Sequence, residues 1–96
     1  MLDIKTSSNC ILRDGKPIIK LEADAINFLL IDHVIVILMK KVQEDTDRNI
    51  VCYDFDGKFR WRVSSPVKIH SESYYVGIEL REDQLYAYSI SGIEHI

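Results

Sequence analysis

Short apolar runs, several of them alternating with polar residues, follow one another along this chain of 96 residues, and turn-forming residues separate them. Runs of this length that are rich in β-branched and aromatic side chains predict strands. We therefore expect an all-β, predominantly antiparallel domain of about eight strands with little helix, a small β-sandwich or a partly open barrel built of hairpins. The predicted strands span 9–12, 18–22, 27–31, 34–41, 50–55, 58–63, 74–80 and 85–90.

Three stretches of the chain can be laid on one another with a glycine at the same place, namely 9–19, 51–61 and 86–96. In each, an apolar run meets a turn and a second apolar run follows. Glycine reaches the positive φ of a tight hairpin at no steric cost, so each stretch predicts a hairpin. The predicted turns are Asp14-Gly15, Asp56-Gly57 and Ser91-Gly92.

Residues 21–30 are compatible with two structures. Their apolar side chains fall at i, i+4, i+7 and i+8 from Leu21, as on one face of a helix, but 26–31 can equally form a strand that turns at Asp32-His33. We favour a strand over 27–31. The apolar run that follows, 34–39, leaves neither face to water and predicts a strand in the middle of a sheet.

Alternation predicts which side chains share a face of each strand. If Phe59, Trp61 and Val63 point inward, Trp61 is substantially buried and the intervening residues form a basic row on the outer face. That row is Lys58, Arg60 and Arg62. In the next strand the expected shared face consists of Tyr74, Val76, Ile78 and Leu80, opposite Tyr75, Gly77 and Glu79. Tyr86 and Tyr88 are likewise expected on one face, with Leu85 and Ala87 on the other.

Composition and charge narrow the function classes. A hydrophobic fraction of 47% and a charged fraction of 28% argue against disorder, and the 96 residues are expected to form a single domain, 1–96. The net charge of −3 disfavours direct nucleic-acid binding and fits a cationic partner. The first residues lack a signal peptide and no apolar run approaches a membrane span, so we expect a cytoplasmic protein without membrane contact.

No motif for catalysis accompanies these strands, so we expect a non-enzymatic protein without metal or cofactor. The three histidines have no ligand spacing, and the four glycines form no phosphate-binding loop. Cys10 and Cys52 precede their glycines by the same distance, and we expect both to be small buried thiols. Asp54 and Asp56 flank a hairpin turn, where aspartate is favoured for backbone geometry.

The segment 49–63, with Tyr53-Asp54-Phe55-Asp56-Gly57-Lys58-Phe59-Arg60-Trp61, resembles the blades of quinoprotein-type β-propellers, and 74–92 resembles the inner strands of a following blade. The resemblance implies blade-like antiparallel sheets. A closed single-chain propeller needs at least about four blades, which this length excludes. One candidate function is therefore an assembly module that forms homo-oligomers or completes a larger propeller-like body through exposed strand edges.

The favoured hypothesis is a protein-binding role. In size, mild acidity, lack of catalytic residues and a start at its own Met1, the chain is similar to the immunity proteins with which bacteria neutralise toxins, including nucleases. The resemblance implies that it blocks the active site of a cationic toxin domain. Residues 43–49 are polar throughout and predict a protruding hairpin loop that would supply the electrostatic contacts. The predicted partner-binding residues are Glu44, Asp45 and Asp47 in that loop, with Asp54, Glu79 and Glu82 from the sheet, and the basic row is the alternative interface.

Overall fold

A computed structural model describes residues 3–40, 48–63, 75–89 and 92–96. These residues form ten strands and no helix, arranged as three antiparallel sheets, which confirms the all-β antiparallel fold class. The strands are β1 (Ile4–Ser7), β2 (Cys10–Arg13), β3 (Lys16–Lys20), β4 (Ala25–Ile31), β5 (Val34–Met39), β6 (Ile50–Asp54), β7 (Phe59–Arg62), β8 (Tyr75–Arg81), β9 (Gln84–Ser89) and β10 (Gly92–His95).

Each of the three glycine-containing stretches belongs to a different sheet. The first sheet has the order β1-β2-β3, the middle sheet β4-β5-β6-β7 and the third sheet β10-β9-β8. The stretches supply β2–β3, β6–β7 and β9–β10, which is the last hairpin of each sheet. The sequence repeat therefore corresponds to a structural repeat, in which each of the three sheets contains one hairpin of this kind.

The central strands of the middle sheet, β5 and β6, are buried on both faces over most of their length. Alternate residues of β5 and β6 project to opposite sides, so Ile35, Ile37 and Val51 contact the first sheet while Val36, Leu38 and Cys52 contact the third. β5 lies between β4 and β6 and is buried from Ile35 to Met39, as its uninterrupted apolar run predicts. The strand favoured over 27–31 is confirmed and begins two residues earlier, at Ala25.

β1 is absent from the sequence-based prediction, and β10 is implied there by the hairpin over 86–96 but is not among the eight predicted strand spans. Both strands are four residues long and contain polar side chains. They form through backbone pairing with β2 and β9. Gly92 was expected in a turn but is the first residue of β10, paired with Ser89, while 90–91 lie outside the described residues.

A β-bulge makes the predicted basic row wrong. Cys52 is opposite Trp61 but Tyr53 is opposite Phe59, so Arg60 is an extra residue that reverses the alternation. Phe59 is consequently 58% exposed, whereas Val63 is buried and Trp61 is partly buried against the core shared with the third sheet. Arg62 forms an ion pair with Glu22 and does not align with Lys58 or Arg60 in one row.

A second bulge changes the faces of β8. Tyr75 is opposite Ser89 but Gly77 is opposite Tyr88, which leaves Val76 as the extra residue. Tyr75 and Ile78 are therefore both buried, whereas Val76 is 56% exposed. The face predicted to contain Val76 together with Ile78 is wrong for this reason, and Tyr74 lies outside the described residues.

A buried asparagine joins the third sheet to the middle sheet. The sequence places Asn49 in a polar loop, but the residue is only 1% exposed. Its Nδ2 donates hydrogen bonds to the carbonyl oxygens of Met39 (2.9 Å) and Tyr75 (2.7 Å), and its Oδ1 accepts one from the Tyr75 N–H (3.1 Å). One side chain thus binds backbone groups of two sheets.

Replacing Asn49 with alanine removes these three hydrogen bonds from buried backbone groups. Because a buried polar group left unsatisfied costs roughly 1–3 kcal/mol, we expect Asn49→Ala to lower the free energy of unfolding by about 3 kcal/mol or more. Urea unfolding followed by circular dichroism measures it. The matched control is Asn27→Ala, since Asn27 is exposed; an equal loss in both variants would contradict the role given to Asn49.

The β6–β7 turn lies against the first sheet at Gly57. Gly57 has φ +89°, and a Cβ there would clash with the backbone carbonyl oxygen of Ile18. Gly15 has a similar φ of +83° but open space around the Cβ position.

A comparison of alanine substitutions at these two glycines separates the cost of backbone strain from the cost of a steric clash. Gly15→Ala should cost about 1–2 kcal/mol of stability, the penalty for an L-residue in the left-handed region. Gly57→Ala adds a clash with backbone and should cost clearly more. Thermal and urea unfolding of the two variants test the difference. An equal loss of stability in both variants would show that the β6–β7 turn does not contact Ile18 closely.

Candidate protein-binding face

The outer side of the third sheet presents aromatic side chains in register. One row across the three strands contains Gly77, Tyr88 and Ile93, and the next contains Glu79, Tyr86 and His95. The intervening residues of β9, Leu85 and Ala87, point to the core, as alternation predicts. We call this outer surface the aromatic face; it comprises Gly77, Glu79, Arg81, Tyr86, Tyr88, Ile93 and His95.

Arg81 contacts three other residues of the aromatic face. Its guanidinium lies 5.8 Å from the ring centroid of Tyr86 and 5.9 Å from that of Tyr88, within cation–π range. It donates hydrogen bonds to the Tyr88 hydroxyl (2.9 Å) and to Oε2 of Glu79 (2.8 Å). The Tyr86 ring also lies 5.1 Å from that of His95. These contacts limit the rotamers of the side chains on this face.

Tyr88 lies over a glycine. A Cβ at Gly77 would meet Cδ2 of Tyr88 at 3.3 Å, so the absence of a side chain at this position lets the ring lie close to the neighbouring strand. Beside it, Ile93 remains 47% exposed and Val76, from the bulge, 56% exposed. The centre of the face is therefore apolar and uncovered by the described residues.

Acidic residues dominate the charge near this face. Glu82 and Asp83 form the turn between β8 and β9, and both are exposed, with φ of 47° and 64°. Together with Glu79 they place three carboxylates beside the single guanidinium of Arg81. The turn at one end of the aromatic face thus carries negative charge.

The six predicted partner-binding residues fall in three places. Glu79 and Glu82 lie on or beside the aromatic face. Glu44, Asp45 and Asp47 lie outside the described residues. Asp54 is elsewhere, at an open depression of about 670 Å³ where turns of the first and middle sheets meet. The depression is lined by Arg13, Asp32, His33, Val34, Asp54, Phe55, Asp56 and Arg60.

Asp54 stabilises the β6–β7 turn, as its position in the sequence predicts. Its Oδ1 accepts hydrogen bonds from the backbone N–H groups of Asp56 and Lys58, both at 2.9 Å. The bond from Lys58 is the main reason that the pKa of the Asp54 carboxyl lies below its ordinary value of 3.8. Arg13 reaches the same turn by donating to the carbonyl oxygen of Phe55 (2.9 Å) and to Asp56 (3.3 Å).

Because the pKa of Asp54 is lowered in the folded state, its carboxylate contributes stability above the unfolded-state pKa, and that contribution is lost as the pH falls through the folded value. Asp54→Asn keeps an acceptor oxygen but cannot titrate. We expect it to lose less stability on acidification from about pH 5 to about pH 2 than the natural protein does. Asp54→Ala, which lacks the acceptor, should be destabilised at every pH. An acid dependence of unfolding unchanged by Asp54→Asn would contradict this assignment.

The structure places the two cysteines in different environments. Both thiols are free; Cys52 is buried and Cys10 only half-buried. Burial raises the pKa of the Cys52 thiol to about 11, which keeps it protonated and unreactive at neutral pH. Within the described residues no group of three or more His, Cys, Asp or Glu side chains could hold a metal ion. Nor does that part of the chain contain a helix long and apolar enough to span a membrane.

Sequence reasoning recognised the pair Tyr86 and Tyr88 but missed Arg81 and His95. Arg81 stands in a polar turn segment, and His95 near the end of a strand too short to be recognised. The available signal was the hairpin itself: once Tyr86 is placed on β9, antiparallel pairing brings residues of β8 and β10 to its sides.

Comparison with known proteins gives one family. The family described as "Domain of unknown function (DUF7957)" matches residues 1–96. The chain belongs to this family. The match covers all three sheets, and hence the aromatic face. No curated protein and no solved structure matches the chain.

Proposed function

We propose that this DUF7957 protein is a non-enzymatic binding protein that engages a basic surface of a partner protein through the aromatic face. The observation that carries the proposal is the cluster of Tyr86, Tyr88 and Arg81 on the outside of the third sheet. Tyrosine and arginine are enriched at protein interfaces and at their energetic centres.

The packing of the sheets leaves this surface available. The inner side of the third sheet is filled by contacts with the middle sheet, and the half-buried Tyr86 and Tyr88 on the outer side do not belong to that core. An antiparallel sheet with one solvated face usually carries polar residues there. Here that face has ordered aromatic rings beside the exposed side chain of Ile93, an arrangement suited to burial against another protein.

Charge determines the kind of partner. Glu79, Glu82 and Asp83 outnumber Arg81, and the whole chain has a net charge of −3. A cationic surface would gain favourable contacts at the edge of the aromatic face, and its long-range attraction would accelerate association. The loop residues Glu44, Asp45 and Asp47 remain predicted contributors to the same attraction.

The specific form of the proposal is an immunity-type inhibitor that blocks the basic active site of a bacterial toxin domain. Its support is the small size and acidity of the chain, together with a face that combines aromatic centre and acidic edge. An inhibitor of this kind needs tight binding at one surface and no chemistry of its own. On this proposal the natural location is the cytoplasm, where a producing cell must be protected.

Capture from the source cell with the tagged natural chain, followed by reconstitution of the binary complex, tests the proposal. We expect one basic protein bound at a stoichiometry of one to one. Tyr88→Ala should weaken the complex at least about tenfold in isothermal titration calorimetry, as expected of a residue at an interface centre. The matched control is Phe59→Ala, an aromatic residue 58% exposed on the middle sheet, which should bind normally.

A second set of measurements tests charge and inhibition. Replacing Glu82 and Asp83 with lysine should slow association and reduce its dependence on salt. Co-expression of the chain should restore growth of cells that produce the partner, and Tyr88→Ala should restore it less. An acidic partner, or affinity unaffected by Tyr88→Ala, would refute the proposed face; a partner harmless to cells would refute the immunity role.

A further inference from the structure

A cleft lies between the end of β3 and the strands β6 and β7 of the middle sheet. It has a volume of about 260 Å³ and is lined by Lys20, Leu21, Glu22, Met39, Val51, Tyr53, Phe59 and Arg62. The segment that borders it, 18–22, is held against the middle sheet at two points. The turn at Gly57 lies against the carbonyl oxygen of Ile18, and Glu22 forms an ion pair with Arg62. These contacts keep the two walls of the cleft in place.

The lining of the cleft is largely apolar and aromatic. Tyr53 and Phe59 are opposite each other on β6 and β7, with perpendicular rings whose centroids lie 5.6 Å apart. The bulge at Arg60 places Phe59 opposite Tyr53, and bulges are common beside functional sites because they redirect side chains. Phe59 is 58% exposed in spite of the ring contact. Much of its surface is therefore left for another aromatic group, which would gain a contact of the same kind.

The polar groups of the lining favour an anion. Arg62 is already used, because it pairs with Glu22 and its Nε donates to the carbonyl oxygen of Arg48 at 2.6 Å. Within the part of the chain that the structure describes, neither the Lys20 ammonium nor the Tyr53 hydroxyl has a hydrogen-bond or ion-pair partner. The Glu22–Arg62 pair is neutral as a whole, so the cleft keeps the positive charge of Lys20. A carboxylate can accept hydrogen bonds from both free donors.

We propose that this cleft binds a small aromatic carboxylate, with its ring against Phe59 and its carboxylate near Lys20 and Tyr53. Its volume of about 260 Å³ is slightly below the roughly 300–1,000 Å³ of sites for drug-sized ligands, so a ligand of one ring or two fused rings fits. An uncharged aromatic ligand would leave Lys20 without a partner. The cleft lies between the first and middle sheets, whereas the aromatic face is on the third, so this site is independent of the proposed protein partner.

NMR titration of the isotope-labelled full chain with phenylacetate and with indoleacetate tests the site. We expect at least one of the two to bind with a dissociation constant of about 1 mM or tighter and to shift the amide signals of 20–22, Tyr53 and Phe59. The matched uncharged probes are phenylacetamide and indoleacetamide, which should bind about threefold more weakly, because an exposed ion pair contributes only modestly to affinity. Tyr88→Ala, which tests the aromatic face, should leave these titrations unchanged.

Variants assign the two halves of the ligand. Lys20→Gln should weaken the carboxylate probe about threefold and leave the amide probe unchanged. The matched control is Lys16→Gln, an exposed lysine of the same strand that does not line the cleft, which should bind normally. Phe59→Ala should weaken both probes about fivefold; if it does not fold by circular dichroism, Phe59→Leu replaces it.

Three results would overturn the site. The first is that neither carboxylate saturates the protein by about 10 mM. The second is equal affinity for a carboxylate and its amide, or an equal loss of affinity in Lys20→Gln and Lys16→Gln. The third is a set of shifted signals that excludes 20–22 and Phe59.

Discussion

The side chain of Asn49 fixes how the third sheet lies on the middle sheet. Its amide binds both the N–H and the carbonyl oxygen of Tyr75, as a neighbouring strand would, and also the carbonyl oxygen of Met39. Apolar contacts between sheets are not directional, so they alone would tolerate sliding. A buried amide does not, because any shift leaves polar groups without partners. Asn49 thereby sets where β8 begins, and with it which residues of β8 face outward.

From that starting point the bulge at Val76 determines the composition of the outer surface. Without the extra residue, Ile78 would turn outward and Glu79 inward, and the third sheet would lose both its core contact and its acidic group. The bulge at Arg60 acts in the same way on β7, where it separates Phe59 from Trp61. One buried amide and two extra residues thus decide which side chains of β7 and β8 lie on the outside.

The sequence predicts those parts of the structure that depend on residues close together in the chain, and it does not predict those that depend on residues far apart. Hairpins depend on neighbouring residues, and the turns at Asp14-Gly15 and Asp56, together with the role of Asp54, are visible in the sequence. Bulges depend on the pairing of two strands, so neither Arg60 nor Val76 was recognisable. Asn49 looks like the end of a polar loop, because its partner Tyr75 is 26 residues away. Of the candidate site, Glu79 and Glu82 were predicted as partner-binding residues, and Tyr86 and Tyr88 were predicted only to share one face of their strand. Arg81 and His95 required knowledge of the register.

Stacking three sheets gives each sheet a different surface. The outer side of the first sheet carries Lys5 and Lys20, which suit contact with water. The third sheet carries aromatic rings on its outer side, which contact Arg81 and His95. The central strands of the middle sheet, β5 and β6, are buried on both faces over most of their length. Because both sides of β5 face a core, that strand is apolar throughout, whereas β6 and β7, which follow it in the sheet, also carry charged residues.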